Sequence, residues 1–184
     1  EIISQAGVPA LFRLEALSLA AANARLQGEA ARAHEIAMRL VHDPDFGGLP
    51  LHYRAAYSSI AAAAFLASAE PGEARRALDR ASEEYAKAGF KPTVRMSVFL
   101  IARAQLGEHS DASLHDDLQG LVDSWQRVNP NSVWHGEALY WLSRVQQSRG
   151  ESEVAERNRR QAVQLLKDCK FPALRRLVAE DWTR

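Results

Sequence analysis

Apolar positions along this chain recur every three or four residues, and the clearest run lies between Trp134 and Leu166. Ala138, Leu139, Leu142, Ser143 and Val145 fall on one helical face, and Val154, Ala155, Ala162, Leu165 and Leu166 form a second face after Gly150. Gly150 predicts the turn, because glycine enters the left-handed region without steric cost. Small Ser143 and Ala155 on the inner faces let the two backbones approach.

The same unit recurs through the chain. The pattern predicts helices over about Ala10–Gln27 and Ala30–His42, then a turn-rich connection from Asp43 to Pro50. A second hairpin follows from Leu51 to Ala69 and from Glu73 to Ala88, turning at Glu70, Pro71 and Gly72. A third opens at Pro92, turns at Gly107 and returns over Asp111–Val128. The fourth starts at Asn131 or Ser132, either a plausible N-cap, and a last helix runs from Pro172 to Trp182. The turn glycines Gly28, Gly72, Gly107 and Gly150 stand 44, 35 and 43 residues apart. No stretch alternates as a half-buried strand does. The expected fold is all-α, a superhelix of about four antiparallel hairpins (10–42, 51–88, 92–128, 132–169) with a capping helix over 172–182. Such hairpins bury their inner faces by stacking on neighbours, so residues 1–184 are expected to form one domain.

Composition narrows the function classes. Apolar residues make up 47% and charged residues 25%, the balance of a globular chain. Formal net charge is zero, which gives no global attraction for nucleic acid or an anionic membrane. No apolar run approaches the roughly 20 residues of a membrane span. Cys169 is the single cysteine, in keeping with a reducing, cytoplasmic setting and excluding an internal disulfide. The opening EIISQAG reads as a helix tail closed by Gly7, so the chain is expected to be a piece of a longer protein.

Leu17, Ala20, Ala21, Gly28, Ala33, Ala37, Leu40 and Pro44, with Leu139, Leu142, Ser143, Gly150, Ala155 and Ala162 in the same order, resemble the tetratricopeptide repeat. The middle hairpins depart from it: counted from Gly72 and Gly107, Phe65 and Leu100 stand where that family places a small residue. The stretched spacing is similar to divergent arrays of bacterial signalling and transcription regulators. The resemblance implies a concave groove lined by the first helix of each hairpin. It would receive Glu15, Ser18, Ala22 and Arg25 from the first hairpin, Ala62, Leu66, Ser97 and Ile101 from the middle two, and Glu137, Tyr140, Arg144 and Gln147 from the last. Glu15, Arg25, Glu137, Tyr140, Arg144 and Gln147 are therefore the candidate binding residues. The basic, asparagine-rich clamp by which some members hold a chaperone C-terminus is not matched.

Other clusters have plainer readings. Trp125, Trp134, Tyr140 and Trp141 could form an aromatic box or pack between hairpins. His109, Asp111, His115, Asp116 and Asp117 could approach a metal ion, but they straddle a helix start where aspartates cap and complement the dipole. Residues 108–123 hold five acids and no base, whereas 144–184 hold ten bases and six acids. Arg157, Arg159 and Arg160 interleave with Glu153 and Glu156 as helical ion pairs do. Glu83 and Glu84 are adjacent on a helix and point different ways, so they make no acid/base pair. No phosphate loop, nucleophile elbow or HExxH motif is present.

These readings predict a non-catalytic interaction domain, without metal or cofactor, holding a protein or peptide segment as the sensory or scaffolding part of a bacterial regulator. The alternatives are a small-molecule inducer sensor, or a homo-oligomerisation module using the apolar residues Ile2, Ile3, Leu174, Leu177 and Trp182.

Overall fold

The computed structural model describes residues 9–89 and 96–179. The expectations for Ile2, Ile3, Gly7, Pro92 and Trp182 lie outside the described residues. Every regular element described is helical: α1 Ala10–Gln27, α2 Ala30–Val41, α3 Leu51–Ala67, α4 Pro71–Lys87, α5 Ser97–Gln105, α6 Ala112–Val128, α7 Val133–Ser148, α8 Ser152–Leu166 and α9 Pro172–Ala179. The chain divides into two compact units, Glu1–Lys91 and Pro92–Arg184. In the first, α1 packs on α2 and α3 on α4, and α3 also packs against α1 and α2. In the second, α7 pairs with α8 and also carries α5 and α6, while α9 closes on α8.

Each hairpin turn is built the same way. The residue after the helix cap is left-handed: Gly28 at φ 78°, Ala69 at 61°, Gly107 at 90° and Gly150 at 81°. Its N–H and that of the following glutamate reach back into the last turn, as Gly28 N–H to Arg25 O (3.0 Å) and Glu29 N–H to Ala24 O (2.9 Å) illustrate. The same pair of bonds closes α3 through Ala69 and Glu70, α5 through Gly107 and Glu108, and α7 through Gly150 and Glu151. Orphan carbonyls at the helix end are thereby satisfied. In three hairpins that glutamate is also the N-cap of the return helix, its carbonyl accepting from Ala33, Ala74 or Ala155.

This corrects the second turn. Gly72 does not form it; Pro71 opens α4 at a position where its missing N–H costs nothing, and Gly72 is already helical. The left-handed residue is Ala69. Counted from it, the turns fall 41, 38 and 43 residues apart. The residue seven before each turn is Ala21, Ala62, Leu100 or Ser143, all buried. The residue five after is Ala33, Ala74 or Ala155, also buried, but Ala112 in the third hairpin is exposed. There bulky Leu100 replaces the small residue, and α5 packs more on α7 than on α6.

At the helix starts, Ser132 is the N-cap of α7, its Oγ accepting from Trp134 N–H at 3.1 Å, and Asp111 caps α6 through Ser113 N–H at 2.8 Å. Gly136 lies inside α7 with α8 pressed on it: a Cβ there would stand 2.9 Å from Leu166 Cδ2 and 3.0 Å from Leu165 Cβ.

Two stability outcomes follow. Ala69→Gly removes a left-handed alanine at an exposed turn and should stabilise the fold by about 0.5 to 1 kcal/mol after the added unfolded-state freedom. Gly136→Ala should destabilise by about 1 kcal/mol, since overpacking of one to three exceeds the helix-propensity gain of about one. Denaturant midpoints measure both, and a stabilised Gly136→Ala would show that Leu166 yields freely.

Candidate functional site

The connection between α2 and α3 is the one joint in the first unit that is not a tight turn. It is held from α1: Arg13 Nη2 meets Asp43 Oδ1 at 2.8 Å and Asp45 Oδ2 at 2.7 Å, and its Nε donates to Asp43 Oδ2 at 3.2 Å. Burial alone would raise the Asp43 carboxyl, but the Arg13 hydrogen bond and the Asp45 backbone N–H bring it below its usual value. These contacts fix a short 3-10 turn, Phe46–Gly48, whose Phe46 ring is buried.

Beneath that turn α3 and α4 enclose a hollow of about 400 Å³ lined by Val41, His42, Asp43, Phe46, Gly47, Arg54, Arg80 and Glu84. An adjoining hollow of about 250 Å³ shares Val41, His42 and Arg80 and adds Ser58, Phe65, Glu73, Arg76 and Ala77. Helical spacing puts these groups together. Arg76, Arg80 and Glu84 succeed one another at one-turn intervals on α4, as Arg54 and Ser58 do on α3.

The wall between the two helices holds polar atoms without partners. The Glu84 side chain is 9% exposed, and its Oε1 lies 3.2 Å from Arg54 Nε. Glu84 Oε2, Arg54 Nε and Ser58 Oγ are buried and make no hydrogen bond. Arg54 spends Nη1 on Gly47 O at 3.1 Å. The Arg80 guanidinium stands over the Phe46 ring, 5.8 Å from its centroid, and among the described residues it has no hydrogen bond or ion pair. Arg76 pairs with Glu73 instead. Desolvation raises the Glu84 carboxyl above its usual value, against the opposing pull of Arg54 and then Arg80. Buried groups of this kind ordinarily find partners, since each unmet one costs about 1 to 3 kcal/mol.

The residues singled out by the sequence are distributed differently. Glu15 is half-buried and accepts from the Tyr57 hydroxyl, which ties α1 to α3; burial and then this contact raise the Tyr57 phenol. Arg25 is half-buried on α1. In the second unit Glu137 and Tyr140 are buried, Arg144 is half-buried and Gln147 is exposed, all along one face of α7. Ser18, Ala62, Ser97 and Ile101 are buried, and Ala22 and Leu66 are half-buried. Of the candidate six, Glu15 and Arg25 belong to the first unit and the other four to the second.

The aromatics make separate contacts. Trp125 Nε1–H donates to Ser97 Oγ at 3.2 Å, Trp134 lies 6.1 Å from the Phe171 ring, and Tyr140 meets Trp141 edge-on at 5.3 Å. The acidic turn is organised by Arg103, which bonds Glu108 at 2.6 Å and also Asp111. His109 is turned onto Ala104 O at 2.8 Å, and His115 lies beside Asp116 at 3.0 Å. Among the described residues no three His, Cys, Asp or Glu side chains gather as a metal site. Glu83 pairs with Lys87 at 3.4 Å on the exposed side of α4, leaving Glu84 alone in the interior.

Arg54, Ser58, Arg80 and Glu84 carry no motif. Their signal in the sequence is an arginine and a glutamate spaced to face inward on a helix that follows the longest loop. No protein-family model matches the chain, and comparisons with curated proteins and with solved structures gave no significant match. No described helix is long and apolar enough to cross a membrane.

Replacing Glu84 tests the cost of its burial. Its raised carboxyl favours folding most below about pH 4.5, and that contribution is lost as pH rises through the folded value. Glu84→Gln should therefore be more stable than wild type at pH 7, by on the order of 1 kcal/mol, with the gap closing near pH 4. Denaturant titrations at the two pH values measure it; a variant less stable at pH 7 would show that the Arg54 contact outweighs desolvation.

Proposed function

We propose that this chain is a non-catalytic sensory domain of a larger cytoplasmic regulator, built as a tetratricopeptide-type array, in which a small polar ligand seats in the α2–α4 hollow. One observation carries the reading: Glu84 Oε2 and Ser58 Oγ are buried without partners on the wall of a hollow that also holds the uncommitted Arg80. Ligand sites combine apolar walls with a few convergent polar groups, and Phe46, Val41 and Phe65 supply the apolar part here. The repeated hairpin closures support the array reading, because each unit buries its inner face only against neighbours.

A second reading, the docking of an apolar protein segment, is favoured by α1. Phe12 and Leu19 are 66% and 61% exposed and stand seven residues apart, two turns along one stripe.

Thermal-shift screening of a metabolite library against wild type and Glu84→Gln/Arg80→Gln separates the readings. Compounds that stabilise wild type by several degrees and leave the folded double variant unmoved support the hollow. Compounds that shift both proteins equally, or none that shift wild type, argue against it. The second reading expects a defined protein partner whose binding is lost in Phe12→Ser/Leu19→Ser and kept in the hollow variant.

A further inference from the structure

We infer that the hollow takes a small organic acid carrying a hydrogen-bond donor on the carbon next to its carboxylate, an α-amino or α-hydroxy acid with an apolar side chain. This rests on the hollow being a ligand site. The lining fixes the chemistry through what its charges have left to do. Asp43 is committed to Arg13, and Glu73 to Arg76. Arg54 and Arg80 then face Glu84 alone, leaving one positive charge uncompensated. An anion satisfies it, and a carboxylate fits the planar fork of Arg80 in a bidentate manner.

Charge alone does not account for Glu84. Its Oε2 is an acceptor with nothing to accept, so the ligand also brings an N–H or O–H. Arg80 and Glu84 are one turn apart on α4, with Cβ atoms about 5 to 6 Å apart, so a single small molecule bridges anion site and acceptor. Ser58 Oγ is free to take a second contact to the carboxylate from α3. The side chain has its place in the adjoining volume of about 250 Å³, against Phe65, Val41 and Ala77. Phe46, stacked with Arg80, closes the polar end from above. Binding brings donors to the very atoms that make the empty hollow costly, so Glu84 is kept for recognition and not for stability.

Four probes of one size separate the contributions in calorimetric titrations of the whole chain. L-leucine and 2-hydroxy-4-methylpentanoate carry both carboxylate and donor, 4-methylpentanoate lacks the donor, and leucinamide lacks the carboxylate. At least one of the first two should bind, and which one distinguishes an ammonium from a hydroxyl at Glu84. The other two should bind about tenfold or more weakly, as the loss of a hydrogen bond to a charged group entails. Glu84→Gln should erase the preference over 4-methylpentanoate, and Arg80→Gln the preference over leucinamide, with both variants folded by circular dichroism. Equal binding of all four probes, or no binding by either of the first two, overturns the assignment. If the probes fail while library compounds still need Glu84 and Arg80, the ligand class falls and the site stands. If the variants bind as wild type does, both fall.

Discussion

The architecture depends on the closure that ends the first helix of each hairpin. One left-handed residue reverses the chain, and two backbone bonds from it and the next glutamate satisfy carbonyls that would otherwise be left open. Because the reversal uses so few residues, the return helix begins at once, and its first buried alanine is placed five residues on. A small residue seven positions before the turn then meets the partner at close range. Ala21 with Ala33, Ala62 with Ala74 and Ser143 with Ala155 are three copies of one geometric solution. The third hairpin carries Leu100 and an exposed Ala112 in those places, and its helices give up part of their mutual contact to α7.

A tight hairpin leaves no room for a ligand between its helices. Space arises where the repeat is joined to the next by something longer. Residues 43–50 do this in the first unit, and the Arg13 clamp holds that segment as a roof and keeps it from collapsing onto α3 and α4. The hollow is thus a by-product of repeat spacing, and its polar lining is supplied by residues whose periodicity any amphipathic helix would show.

That explains which parts were legible in the sequence. Helix positions were, because apolar periodicity and turn glycines act locally: α1 spans Ala10–Gln27 as the pattern predicts. The second turn was not, because glycine is a permissive residue and not a marker. Gly72 stands next to a proline that starts a helix, while Ala69 accepts the left-handed conformation at a cost. The pair Ala69-Glu70 matches Gly28-Glu29, Gly107-Glu108 and Gly150-Glu151, and that recurring glutamate locates the turn better than glycine does. The hollow was illegible for a further reason. Glu84 differs from Glu83 only by 100° around α4, and one is paired at the surface while the other is enclosed. Neither composition nor spacing tells which of two adjacent carboxylates the loop will cover.

The covering is what gives Glu84 its meaning. An exposed glutamate near an arginine contributes little to a fold, because water serves both ions as well as they serve each other. Under the Phe46 roof the same pair loses its solvent, and the contact to Arg54 offsets only part of that loss, since desolvation still dominates the carboxyl. A hydrophobic residue of similar size at position 84 would fill the wall without this cost. A carboxylate held there, beside an arginine that stacks on an aromatic ring and bonds to nothing else described, is a local conflict in a unit whose other positions agree with the fold. Conflicts of this kind concentrate where a protein meets something other than itself.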